Sequence, residues 1–357
     1  MLECVENSGR PEQPNIPLEE QGNSMKFSIL GLAAAVTMAA TSVFAAGKGP
    51  AIVFDLGGKF DKSFNQSAYE GAEKFTKDTG IAYRGFEIQN ASQREQAYRR
   101  FARDGNSPVI AIGFAAAAAL EKVAKEFPDT KFAIVDMVVG LPNVRSIVFN
   151  EHEGSYLVGM LAAMASKSGK VGFVGGMDIP LIRKFACGYV QGAKAANKNA
   201  EVFQNMTGTT GAAWNDPVKG GELAKSQFDR GADVVYHAAG GTGLGVLQAA
   251  ADAGKLGIGV DANQNYIHPG SVLTSMLKRV DVAVYNTFKD GSEGGTWTAG
   301  FNVLGLAQDG VGWALDDNNK SLITAEMKAA VEKAKADIIS GAVKVHNYMD
   351  DSKCPVS

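Results

Sequence analysis

Residues 51–75 read AIVFDLGGKFDKSFNQSAYEGAEKF. Ala51–Leu56 is a short apolar run that contains an acid, Asp55, near its end, the pattern of a buried parallel strand. Gly57 and Gly58 break the run. Phe64 then sits in a polar loop between Ser63 and Asn65, and a helix follows with Tyr69, Ala72 and Phe75 at helical spacing. One strand end thus presents a carboxylate, a flat ring and an amide within ten residues. In open α/β sheets ligands sit outside the carboxyl ends of the strands. Asp55, Phe64 and Asn65 together suit a planar, hydrogen-bonding ligand such as a nucleobase. A core role for Phe64 is the alternative.

The same alternation continues outward from this unit. Strands are expected at Val109–Phe114, Lys131–Asp136, Arg145–Phe149, Lys170–Val174, Val234–Ala238, Gly257–Asp261 and Val272–Lys278. Helices are expected at Ala115–Glu126, Glu151–Lys167, Ile182–Asn197, Val246–Ala253 and Thr324–Ile339. This β-α alternation means parallel sheet with helices on both faces. Tyr69–Lys74 (YEGAEK) and Tyr189–Lys194 (YVQGAK) form a short internal echo, each on the first helix after a strand and a pair of glycines. Two similar α/β lobes with a cleft between them are the natural reading.

Met25-Lys26, the apolar run Phe27–Ala40 and the small residues up to Ala46 read as a signal peptide, cleaved after Ala45 or Ala46. The run is about 14 residues, short of the roughly 20 that a membrane span needs. Residues 1–24 are polar and acidic and do not belong in front of such a signal, so Met25 is read as the initiator. No cysteine follows the apolar run, which leaves no site for lipid attachment. The protein is expected to be periplasmic, secreted and soluble. Removing residues 1–46 takes away five acids and two bases, which brings the totals of 38 and 35 to equality. A near-neutral chain argues against a nucleic-acid or acidic-membrane surface. Roughly 310 residues remain, ample for two lobes.

Cys187 and Cys354 remain after cleavage. They could pair in an oxidising compartment, or stand as a buried thiol and a loose one in the tail; two cysteines give no framework. There is no CxxC, no HExxH and no cluster among His152, His237, His268 and His346. No metal and no cofactor is expected.

Several further stretches carry candidate site residues. Ala239–Gly245 (AGGTGLG) lies between a strand and a helix. No Gly-Lys-Ser/Thr follows, so it is not a Walker A loop. Gly240 and Gly241 could let backbone amides approach a ligand, or simply make a tight turn. IGVDANQ, residues 258–264, ends a strand in Asp261. FAIVDMV, residues 132–138, does the same with Asp136. Lys278 closes the apolar stretch 272–277, where solvation does not explain a lysine. It could reach a ligand or pair with Asp261, or be an exposed strand-end residue. Phe185 and Tyr236 are each candidates for a second aromatic face, or core residues.

DKSFNQSAYEG (61–71), MDIPLIRKF (177–185), IGVDANQ and TSMLKRVD (274–281) together resemble the basic membrane protein family, the purine nucleoside receptors that feed ATP-binding-cassette importers. The resemblance runs from about Gly49 to Val345. It implies a type I periplasmic binding protein fold: two Rossmann-like α/β lobes with parallel sheets, joined by hinge crossovers. The crossings are expected near Asn150, Asn263 and Gly294. Residues 47–149 and 263–294 would form one lobe, and 150–262 and 295–357 the other. The implied function is capture of a nucleoside, in all expectation a purine, for ABC permease subunits in the inner membrane. The protein would be a monomer with no enzymatic activity. The resemblance implies that Asp261 holds the ribose hydroxyls and that Asp136 faces the cleft. Many relatives are lipoproteins, and this chain departs from them. Nucleobase capture, a nucleoside hydrolase or phosphorylase, and a ligand sensor for a membrane partner are the other functions the residues allow. No nucleophile–base pair speaks for an enzyme.

Overall fold

The structure is a computed structural model and describes residues 48–356. The readings made on residues 1–46, the leader and its cleavage site, lie outside the described residues. In chain order the elements are β1 (Ala51–Phe54), α1 (Phe64–Thr79), β2 (Arg84–Glu87), α2 (Gln93–Arg103), β3 (Val109–Ala111), α3 (Ala117–Glu126), β4 (Phe132–Val135) and β5 (Val144–Phe149). They continue with α4 (Glu151–Ala165), β6 (Lys170–Met177), α5 (Pro180–Ala196), β7 (Glu201–Gly208), α6 (Pro217–Asp229), β8 (Val234–Ala238), α7 (Gly243–Asp252) and β9 (Leu256–Asp261). Last come β10 (Val272–Lys278), α8 (Val280–Gly291), β11 (Gly300–Leu304), β12 (Val311–Trp313) and α9 (Ala325–Ser340).

The strands form two six-stranded sheets. Their orders are β11-β5-β4-β3-β1-β2 and β12-β10-β9-β8-β6-β7. The two orders are the same when β1–β5 are laid on β6–β10, so the echo between residues 69–74 and 189–194 has a topological counterpart. All pairings are parallel except β10 with β12. The central strands are buried on both faces, as β1, β4 and β8 are along their whole length. Their near-continuous apolar runs follow from that burial.

Sheet pairing shifts two of the expected crossings. β10 runs parallel to β9, with Ile258 opposite Thr274 and Val260 opposite Met276. Residues 272–278 therefore belong to the second sheet, not to the first as expected. β11 pairs with β5 and belongs to the first. The chain passes between sheets at Asn150, after Lys278, and between Leu304 and Val311. The loop 262–271 joins the parallel neighbours β9 and β10 of one sheet without a helix. α8 returns to the first sheet's side, where Asp281 N donates to Ser67 Oγ at 3.1 Å.

Two local differences have physical causes. Phe64 is the first residue of α1 rather than a loop residue. Gly175 and Gly176 do not end β6; the strand runs on to Met177. A Cβ on Gly176 would lie 2.2 Å from the Trp214 ring, so this glycine makes room for an indole. Cys187 and Cys354 form a disulfide with Cα atoms 5.5 Å apart. It pins the C-terminal tail to α5, where Gln191 also exchanges two hydrogen bonds with the His346 backbone at 2.8 and 3.0 Å. No helix among the described residues is long and apolar enough to cross a membrane.

Candidate functional site

Each sheet ends its strands toward one shared cavity. From the first sheet's side come Asp55 and Leu56 after β1, Asp61 and the start of α1 at Phe64 and Asn65. Gly113 and Phe114 follow β3, and Asp136 follows β4. From the second come Leu181, Ile182 and Phe185 of α5, Trp214, Ala238 and Gly240 around the end of β8, Val260 and Asp261 of β9, and Lys278 of β10.

Of the residues singled out in the sequence, Asp55, Phe64, Asn65, Asp136, Phe185, Gly240, Asp261 and Lys278 line this cavity. Gly241 is buried beside it without lining it. Tyr236 is fully buried in the core, its ring 5.4 Å from Phe173 and 5.2 Å from Tyr189. Its hydroxyl lies 3.4 Å from Ser155 Oγ of α4 and its ring packs on Tyr189 of α5, and it does not line the cavity.

Asp55 is half committed. Its Oδ1 accepts from Arg94 Nη2 at 2.5 Å and from Leu56 N at 2.8 Å. Its Oδ2 has no hydrogen bond among the described residues and lies where a Cβ on Gly113 would come within 2.3 Å. Asn65 lines the wall, but its amide is already used. Oδ1 accepts from Asp55 N at 2.9 Å, and Nδ2 reaches Asp61 Oδ2 at 3.1 Å. Asp61, which the sequence reading passed over, organises this loop. Its carboxylate accepts from the backbone N–H groups of Ser63, Asn65 and Gln66 at 2.9–3.0 Å. Burial pushes its carboxyl up, and those bonds pull it back.

At the other end of the cavity stand two acids in matching positions. Asp136 follows β4 with φ 71°, and Asp261 ends β9 with φ 64°. Left-handed backbone is uncommon away from glycine, and aspartate is among the residues that tolerate it. Lys278 lies near both. Its Nζ pairs with Asp136 Oδ2 at 2.7 Å and with Glu151 Oε1 at 3.1 Å. Direct pairing with Asp261, one of the options read from the sequence, is not what forms. The rings of Phe64, Phe149 and Phe185 surround the ammonium, with centroids 5.1, 5.1 and 5.5 Å away. Asp261 Oδ2 instead accepts from Ser63 Oγ at 2.5 Å.

Burial raises Asp261 to about 7, against the pull of Lys278 and of the Ser63 bond. Burial opposes the charge of Lys278, but Asp136, Glu151 and Asp261 outweigh it and raise its pKa. Burial likewise opposes the charge of Glu151, and Lys184 and Lys278 still hold it down to about 2. One end of the cavity thus offers oxygen acceptors beside a fixed cation. Phe64 and Phe185 stand beside that cation, and Phe114 and Trp214 add two more rings to the wall. Such a site can hold a flat apolar face and a hydroxyl-rich one at once.

Phe114 and Trp214, 6.5 Å apart between ring centroids, were not found in the sequence. The only local signal was the tryptophan itself, in a polar stretch with no periodicity.

Comparison with known proteins agrees with this geometry. The Bmp family model, described as ABC transporter substrate-binding protein PnrA-like, matches residues 49–347. The ABC transporter nucleoside-binding protein BmpA of Lactococcus lactis is 36% identical over 318 residues, covering 83% of this chain and 88% of that one. An uncharacterised lipoprotein of Pyrococcus horikoshii is 37% identical over 283 residues, covering 74% and 69%. Among solved structures, an ABC transporter solute-binding protein of Aeropyrum pernix superposes with a TM-score of 0.77 at 29% identity. The match covers 85% of this chain and 94% of that one.

Proposed function

This chain belongs to the Bmp family of PnrA-like ABC transporter substrate-binding proteins, and from that premise we propose that it captures a purine nucleoside for import. The family is one of extracytoplasmic binding proteins, not of enzymes. The observation that carries the nucleoside reading is the pairing of Asp136 and Asp261, two left-handed acids at equivalent strand ends, with Lys278 beside them and aromatic rings beyond. A carboxylate can accept two hydroxyl protons at once, and charge-assisted bonds are about twice as strong as neutral ones. In this reading Asp261 takes the ribose hydroxyls, with Asp136 and Lys278 beside it. The base stacks on Phe64, with Phe185 as its second face, and the free Oδ2 of Asp55 accepts an N–H from the base edge.

The two sheets with their helices act as lobes, residues 48–149 with 280–304 against 150–279 with 305–356. The cavity is the cleft between them, and the three crossings are its hinge. One chain supplies the whole wall, so a monomer suffices. The protein works in the periplasm as a soluble receptor that delivers to an inner-membrane permease. The Cys187–Cys354 bridge supports an oxidising compartment. Free-nucleobase capture is the second reading, supported by the aromatic lining alone.

Mass spectrometry of small molecules released from denatured protein tests the proposal. A purine nucleoside is expected. Release of a free base or of an unrelated solute contradicts it.

A further inference from the structure

Behind Lys278 lies a second pair of buried charges that the cavity wall does not include. An ammonium carries three N–H donors. Asp136 Oδ2 accepts one of those on Lys278 at 2.7 Å, and Glu151 Oε1 lies 3.1 Å from the same nitrogen as an ion pair without a hydrogen bond. No other group among the described residues accepts from this ammonium, and Lys278 lines the cavity, so donor capacity is left for a ligand. Glu151 is the first residue of α4, and its side chain is 1% exposed. Its second oxygen, Oε2, pairs with Lys184 Nζ at 2.7 Å. Lys184 stands on α5, is buried, and donates to Phe149 O at 2.5 Å. The charges alternate along this line: Asp136, Lys278, Glu151, Lys184. Glu151 alone is shared by both lysines.

We propose that Glu151, itself held by Lys184, is the positioning residue that fixes the Lys278 ammonium with one N–H free for the sugar end of the ligand. The inference rests on the nucleoside reading above. Two carboxylates pull on the ammonium, and the rings of Phe64, Phe149 and Phe185 flank it while leaving it open to the cavity. Without the Glu151 charge, Asp136 alone sets where the ammonium points. Lys184 then faces Lys278 with no shared counter-charge, and an uncompensated buried charge is costly. The loss falls on the sugar contact and not on the stacked base.

The test is calorimetric titration of wild type, Glu151→Gln, Lys278→Met and the double variant with inosine and with hypoxanthine. Wild type should favour inosine. Glu151→Gln should lose roughly tenfold or more for inosine, the scale of one charge-assisted hydrogen bond, and much less for hypoxanthine. On the Lys278→Met background it should change the ratio of the two affinities no further. A purely structural role would move both ligands together. Should Glu151→Gln fail to fold, Glu151→Gln with Lys184→Met removes one acid and one base, keeps the line neutral and carries the same measurement. It too should lose inosine selectively. Equal losses for both ligands, or a wild-type ratio in the neutral double variant, overturn the proposal and leave the nucleoside reading standing. A wild type indifferent to the sugar overturns both.

Discussion

Ser63 Oγ and Asp261 Oδ2 are 2.5 Å apart, and they come from opposite sheets. Ser63 stands at the N-cap position of α1 but does not cap it. Its hydroxyl goes to Asp261 instead. The neighbouring Lys62 carbonyl accepts from Gln264 Nε2 at 2.9 Å, a second bond between the same two segments. Gln264 is fully buried, and its Oε1 is held by Val260 N at 2.9 Å and lies 3.0 Å from His237 Nε2, which leaves Nε2 as the donor turned to Lys62. The acid assigned to the ribose is therefore also a tie between the two halves.

That tie predicts a kinetic effect. Ser63→Ala should speed nucleoside release about tenfold, the order of a hydrogen bond to a charged group. The loop itself should hold, because Asp61 still accepts from the Ser63, Asn65 and Gln66 backbone. Stopped-flow dissociation measures it. An unchanged release rate would mean that the contact does not oppose opening.

Asp261 should give the ligand-free protein an unusual pH dependence. Its folded-state pKa of about 7 lies above the ordinary value of 3.8. The folded chain therefore holds a proton that the unfolded chain has lost between about pH 4 and pH 7, so stability falls as pH rises through that window. Asp261→Asn cannot titrate there. At pH 8 the variant should be more stable than wild type, on the order of 4 kcal/mol, while binding nucleoside poorly. Thermal unfolding from pH 4 to 8 decides it. Parallel stability curves for the two proteins would show that Asp261 carries no such penalty.

Phe64→Ala should weaken nucleoside binding roughly tenfold to a hundredfold, since stacking a base on an aromatic ring is worth about 1–3 kcal/mol. Inosine and hypoxanthine should suffer alike, unlike the loss expected at Glu151. Calorimetry with both ligands separates the two patterns, and full affinity in the variant would remove Phe64 from the base site.

Replacing Cys187 and Cys354 by serine should lower stability by about 3–5 kcal/mol, the scale for a bridge that closes a long loop. Denaturant unfolding reads this directly. A variant with wild-type stability would mean that the C-terminal tail holds without its covalent tie.

What could be read in one dimension came through at the strand ends. Asp55, Asp136 and Asp261 each close an apolar run, and a chain spends an acid there for a reason. Lys278 was legible in the same way. The partners of these residues were not. Glu151 and Lys184 meet only because α4 and α5 pack side by side. Trp214 reaches the cavity because Gly176, far away in sequence, leaves space for its ring. Tyr236 misled because it stands in the middle of β8, where its ring packs under α4 and α5, and the apolar run alone does not separate such a core ring from one at the strand end. The crossings after Lys278 and beyond Leu304 are facts of strand pairing, which the expected places near Asn263 and Gly294 did not capture.

The most direct measurement of the central claim is titration of wild type and Asp261→Asn with inosine, 2′-deoxyinosine and hypoxanthine at pH 8. The account predicts that wild type binds inosine best, the deoxy form less well and the base least. In Asp261→Asn the inosine affinity should drop toward that of the deoxy form, with hypoxanthine little changed. A wild type that binds hypoxanthine as tightly as inosine, or a variant that loses the base as badly as the nucleoside, would contradict it.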